Sequence, residues 1–173
     1  MSQIHFISAL TSLSAGSTSS PHLSSLRRLP SHSSTARKTR ASSCTVMSSC
    51  MPNHVHSIVS ASQGNLSSII RDYKRHTSWR ISELLGETRN RRLLKYFRSV
   101  ARREERGNDH KIWQSGSHPI LIESGEFFDQ KLEYIHHNPV VKGYVERPEY
   151  WKFSSARNYF LNDHSVIKID ILE

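Results

Sequence analysis

Acidic residues are missing from the first 71 positions of this 173-residue chain: the earliest is Asp72, and all 15 Asp and Glu lie from there onward. Cysteine is almost absent as well, and Cys44 and Cys50 alone make neither a disulfide scaffold nor a four-ligand zinc site. No apolar run approaches the ~20 residues of a membrane-crossing helix, and the mean hydropathy is -0.55. Aromatic rings are scarce at the front, where Phe6 is the only one in residues 1–50. What remains is a basic chain with room for one domain and some excess. Its 24 Lys and Arg give a net charge of +9, which favours nucleic acid or another anionic surface as the partner.

The charge is unevenly placed. Residues 1–50 hold 16 serines and five cations, Arg27, Arg28, Arg37, Lys38 and Arg40. Such a stretch buries too little apolar surface to offset chain entropy, so its composition predicts disorder. A Ser- and Arg-rich, acid-poor start is also the composition of an organellar transit peptide. Residues 51–173 keep 19 cations against the 15 acids, a net of +4.

From Met51 onward, acids, aromatics and periodic apolar residues appear together. His54 to Ser60 alternates as a strand does, placing His54, His56 and Ile58 on one face and Val55, Ser57 and Val59 on the other. Asn65 can cap a helix carried by Leu66, Ile69, Ile70, Tyr73, Ile81 and Leu84, with Gly86 near its end. A second basic helix is predicted over Arg91 to Arg106, with Leu93, Leu94, Tyr96, Phe97 and Val100 as its apolar residues. A loop through Trp113-Gln114 then leads to a short strand, Pro119 to Ile122. Phe127, Phe128, Leu132 and Ile135 mark another helix, expected to finish by about His137 because Pro139 biases the residue before it away from the α region. Ser154-Ser155 open a last short helix through Tyr159, before a frayed tail.

Two histidines at i and i+2 on a strand can turn both imidazoles toward one divalent cation, although most His-x-His pairs are ordinary surface or core residues. Tyr134 and Asn138 stand four apart and stack on one face if the turn stays helical. A phenol of pKa about 10 needs a base or a metal to act as a nucleophile at neutral pH. A tyrosine beside two histidines therefore suits attack on a phosphodiester, while a tyrosine on a mixed helix is more often packing. Arg71, Lys74 and Arg75 on one helix and Arg91, Arg92, Lys95 and Arg98 on the next can track a DNA backbone, with Trp79, Tyr96 or Trp113 stacking on unpaired bases. The competing reading is a solvated basic face, with Trp113, Trp151 and Phe153 in the core.

Taken in order, Met51-Pro-Asn-His-Val-His56, Trp113-Gln114, Lys131-Leu-Glu-Tyr-Ile-His-His-Asn-Pro-Val140 and Trp151-Lys-Phe-Ser-Ser-Ala-Arg-Asn-Tyr159 resemble the REP-associated tyrosine transposases. These are a branch of the HUH single-tyrosine transposases. The resemblance covers residues 51 to about 160 and implies an α+β, ferredoxin-like antiparallel sheet with helices on one face. It further implies Tyr134 as nucleophile, and His54, His56 and Asn138 as ligands of Mg2+ or Mn2+. The activity implied is cleavage and rejoining of single-stranded or hairpin DNA through a 5′-phosphotyrosine link and a free 3′-OH, by a monomer in the bacterial cytoplasm. A nonenzymatic nucleic-acid-binding module of the same fold, an inactive remnant and a related HUH nickase are the alternatives.

The family carries a strand, a helix and a second strand ahead of the histidine motif, where this chain has Ser43 to Cys50. If Ser42 to Cys50 are encoded TCG AGC TGC ACG GTT ATG TCG TCA TGC, reading from the third base gives Glu-Leu-His-Gly-Tyr-Val-Val-Met, a family-like strand. Residues 1–50 are therefore expected to be disordered or out of frame, leaving a sheet incomplete at the N-terminus. Residues 51–160 form the transposase-like domain on this reading, and 161–173 the tail.

Overall fold

The computed structural model describes residues 3–10, 45–50, 53–61, 66–103, 111–117, 119–167 and 169. The disorder expected of residues 11–44, together with Cys44, Met51, Pro52, the Asn65 cap and the helix end at Arg106, lies outside the described residues. Two compact units are present, one from Met1–Ala9, Ser31–Leu66 and Ser117–Glu173, the other from Leu10–Pro30 and Ser67–Gly116. Residues 51–160 are thus divided between them.

The first unit is α+β. Its strands are β1 (Gln3–Leu10), β2 (Thr45–Cys50), β3 (His54–Ala61) and β4 (Ile120–Leu121), in the spatial order β2-β3-β1-β4. That is the strand order of a ferredoxin-like sheet. β2 and β3 pair antiparallel, with Ser49 opposite His56 and Cys50 opposite Val55, and the register shifts between Thr45 and Met47. β1 and β4 also run antiparallel, with Phe6 opposite Ile120, and the Ile122 N–H donates to the Ile4 carbonyl at 2.9 Å. Two segments of the first 50 residues, expected to be disordered, therefore flank the histidine strand on both sides. Composition averaged over 50 residues hides them: Ile4 and Phe6 of β1 alternate as a strand requires, and its partners β3 and β4 are distant in sequence, whereas β2 pairs with the β3 strand that follows it.

Helix α3 (Gly125–Val141) lies against this sheet. Ser124 caps it, its hydroxyl accepting from the Phe127 N–H at 3.1 Å. Phe6, Ile58 and Ile135 form the buried cluster, with Ile4, Ile122, Phe128 and Leu132 around it. The even-numbered strand residues thus meet the helix, as period-2 alternation requires.

Contrary to the expected stop near His137, α3 continues through Pro139 to Val141. Proline removes only the N–H that would bond the Ile135 carbonyl, and the helix end beyond it is closed in the usual way, with Lys142 N–H on Asn138, Gly143 N–H on Val140 and Tyr144 N–H on Pro139. Pro139 is itself fully buried, so packing offsets the local cost. A 3-10 turn at Pro148–Tyr150 and helix α4 (Ala156–Leu161) follow. Buried His136 ties α3 to the start of α4 through a 2.8 Å hydrogen bond with the Ser155 hydroxyl. Arg157 grips Asp163 through Nε at 2.9 Å and Nη2 at 2.6 Å.

The second unit carries α1 (Leu66–Glu87), from Ser67 onward, and α2 (Arg91–Arg103). Its buried residues include Ile70, Ile81 and Leu85 of α1, Leu93, Phe97 and Ala101 of α2, and Ile112 and Trp113. The end of α1 is set by Arg89 rather than Gly86. Arg89 takes a left-handed φ of 53°, its N–H bonds the Gly86 carbonyl and the Asn90 N–H bonds that of Leu85. Asn90 then caps α2, accepting from the Leu93 N–H at 3.2 Å.

Candidate functional site

Strand β3 holds His54 and His56 on one face with ring centroids 4.7 Å apart. Tyr134 of α3 sets its ring edge-on to His56 at 5.2 Å. Phe6 of β1 completes the group, stacking on His56 at 5.7 Å and meeting Tyr134 at 6.1 Å. His56 is only 5% exposed, whereas Tyr134 is 51% exposed, so the phenol is open to solvent beside a buried imidazole.

Both histidines are biased toward the neutral form. Burial, with help from the charge on His54, pushes His56 down to about 4. His54 is lowered by burial and then by the field of Lys142. A neutral imidazole keeps the lone pair that a metal requires. On His54, Nδ1 sits 2.7 Å from the Asn53 side-chain oxygen, an acceptor, which leaves Nε2 with the lone pair.

Successive residues of an α-helix turn by roughly 100°, so Lys131, Tyr134, Asn138 and Lys142 fall within about 80° of one face of α3. Tyr134 stands by His56 at one end of this row, and Lys142 acts on His54 from the other. Asn138 lies between them on the helix and is 7% exposed. Its Oδ1 and the Nδ1 of His56 are buried atoms with no hydrogen-bond partner among the described residues. A buried acceptor left unpaired is costly, and a cation is one group that would satisfy it. Two imidazoles and an amide carbonyl thus fit a divalent cation that accepts nitrogen and oxygen donors, although no cluster of three or more His, Cys, Asp or Glu occurs among the described residues.

Phe6, Asn53, Lys131 and Lys142 were not singled out from the sequence. Asn53 could have been flagged as the polar neighbour of a candidate ligand. Phe6 had one signal, as the sole aromatic in an aromatic-poor stretch.

In the second unit, Arg71 and Arg75 are exposed, and both pair with Asp72, at 3.7 and 3.3 Å. Arg91, Arg92, Lys95 and Arg98 are exposed on the side of α2 away from buried Leu93, Phe97 and Ala101. The ammonium of Lys74, which shares α1 with Arg71 and Arg75, donates to the carbonyls of Gln114, at 3.2 Å, and Gly116. Burial and nearby Lys111 lower its pKa. Trp113 is buried and donates from Nε1 to the Thr77 hydroxyl at 2.8 Å, a core position, whereas Trp79 is 59% exposed under the Arg80 guanidinium. No helix among the described residues is long and apolar enough to cross a membrane.

The fold and site together define a class: an α+β protein in which a His-x-His strand faces a tyrosine on the helix packed over it. No family model and no curated protein matches the chain. Among solved structures, its fold is similar to that of a REP-associated tyrosine transposase bound to a REP hairpin. The TM-score is 0.61 at 19% identity, covering 99% of this chain and 86% of that one.

Proposed function

We propose that the chain is a REP-associated-type tyrosine transposase, a single-stranded DNA endonuclease and strand transferase with Tyr134 as its nucleophile. The observation that carries this reading is the placement of the solvent-open Tyr134 ring 5.2 Å from His56, itself 4.7 Å from His54. The fold shared with a hairpin-bound transposase supports it.

In the reaction the Tyr134 hydroxyl oxygen bonds to phosphorus and the bond from phosphorus to the 3′ oxygen breaks. The phenol proton ends on the departing 3′ oxygen, giving a 5′-phosphotyrosine and a free 3′-OH. One phosphodiester replaces another, so the link stores the bond and the reverse transfer reseals DNA without an energy source. His54, His56 and Asn138 would hold Mg2+ or Mn2+, which when bound polarises the phosphate under attack. His56 and Phe6 fix the Tyr134 ring from two sides, restricting the phenol before substrate arrives. The exposed cations of α1 and α2 supply sequence-independent attraction to the DNA backbone.

The test is incubation of the full chain with a 3′-end-labelled hairpin oligonucleotide and Mn2+. The label is expected to migrate with the protein on a denaturing gel, and Tyr134→Phe is expected to abolish the band. A band that survives the substitution removes Tyr134 from the role.

A further inference from the structure

Lys131 stands one turn before Tyr134 on the same face of α3. Its ammonium lies 5.3 Å from the centre of the Phe6 ring and 4.8 Å from that of Phe127. Phe6 is the same ring that stacks on His56 and meets Tyr134. One phenyl group therefore joins the cation, the imidazole and the phenol.

Aromatic faces attract an ammonium, but they neither neutralise its charge nor accept its N–H donors in full. Several cations among the described residues have carboxylates: Arg71 and Arg75 share Asp72, Arg80 pairs with Glu83, Arg147 with Glu149 and Arg157 with Asp163. Lys131 has neither a carboxylate nor a hydrogen-bond acceptor among the described residues. Two rings restrict a long, flexible side chain while leaving its charge uncompensated beside the nucleophile. That is the arrangement an anion-binding group needs.

We infer that Lys131 binds a nonbridging oxygen of the DNA phosphate presented to Tyr134, a phosphate-binding role that rests on the function proposed above. The ammonium transfers no proton. It offsets the negative charge that grows on the nonbridging oxygens as the phenol oxygen bonds to phosphorus and the 3′ oxygen leaves. Phe6 and Phe127 are positioning residues, setting where the charge sits.

Binding of a single-stranded oligonucleotide to the Tyr134→Phe chain, measured across a salt series, tests this apart from catalysis. Adding Lys131→Met is expected to weaken binding and to flatten the slope of log K against log salt by about 0.7, one phosphate contact for a single strand. Adding Lys131→Arg is expected to restore the slope. As a check independent of folding of the variants, acetylation of the Lys131 amine in the unsubstituted chain should slow when the oligonucleotide is bound, read by peptide mass spectrometry. An unchanged slope in a folded Lys131→Met variant, or equal acetylation with and without DNA, overturns the assignment. If the slope changes while the unsubstituted chain forms no covalent adduct, the phosphate contact stands and the Tyr134 chemistry fails. The converse result fails Lys131 alone.

Discussion

At the scale of single residues, exposure separates chemistry from packing. Tyr134 is half exposed, so Tyr134→Phe should leave stability within about 0.5 kcal/mol of the parent while removing the nucleophile. Parallel denaturant melts and adduct gels check both halves. Buried His136 gives a prediction about pH. Burial, and then the charge of neighbouring His137, lower its pKa to about 4, against about 6.5 in an unfolded chain. Between those values the unfolded state binds more protons, so the contribution is complete above pH 6.5 and is lost as pH falls toward 4. The full difference is of order 3 kcal/mol. His136→Gln should flatten this acid limb in urea melts at pH 7 and pH 5, with buried His56, also lowered to about 4, supplying what remains. An equally steep limb in the variant would show that His136 does not titrate this way.

At the scale of elements, capping and long-range pairing decide what local sequence cannot. Asn90 accepts from the Leu93 N–H at the start of α2, so Asn90→Ala should cost about 1 kcal/mol, seen as a lower denaturation midpoint with unchanged slope. The period-2 pattern of residues 54–60 and the helical spacing from Phe127 to Ile135 were legible because each is carried by neighbours in the chain. Pro139 misled about the end of α3, since its full burial, which offsets the one lost backbone bond, is a tertiary fact. β1 and β2 were hidden in Ser-rich composition because a strand is confirmed by its ladder: the partners of β1, β3 and β4, lie far away in sequence, while β2 pairs with the adjacent β3 but carries little apolar alternation of its own. Phe6 shows the consequence: a residue from a stretch read as disordered packs directly on the candidate site. Phe6→Ala should cost about 3–5 kcal/mol, as a buried ring removed from a packed cluster, and should loosen Tyr134 and Lys131 together. A melt unchanged by that substitution would show that β1 does not support the site.

For the whole molecule, net charge proved less informative than its placement. Of the +9, part lies on exposed faces of α1 and α2, while the candidate site holds two histidines whose pKa values burial lowers, a phenol and the ammonium of Lys131. Charge reversal of Arg91, Lys95 and Arg98 together should therefore weaken DNA binding and its salt dependence without moving the position of cleavage. His54, His56, Tyr134 and Asn138 were visible in the sequence as residues and spacing, but the approach of Tyr134 to His56 across some 80 positions was expected only through family resemblance. On the function proposed, the Tyr134 oxygen forms the bond to phosphorus. Trapping the adduct with hairpin DNA and Mn2+, digesting it and locating the modification by tandem mass spectrometry identifies that oxygen. A nucleotide phosphate on the Tyr134 peptide is predicted; a modification on Tyr144, Tyr150 or Tyr159, or DNA cleavage with no protein adduct, would contradict the account.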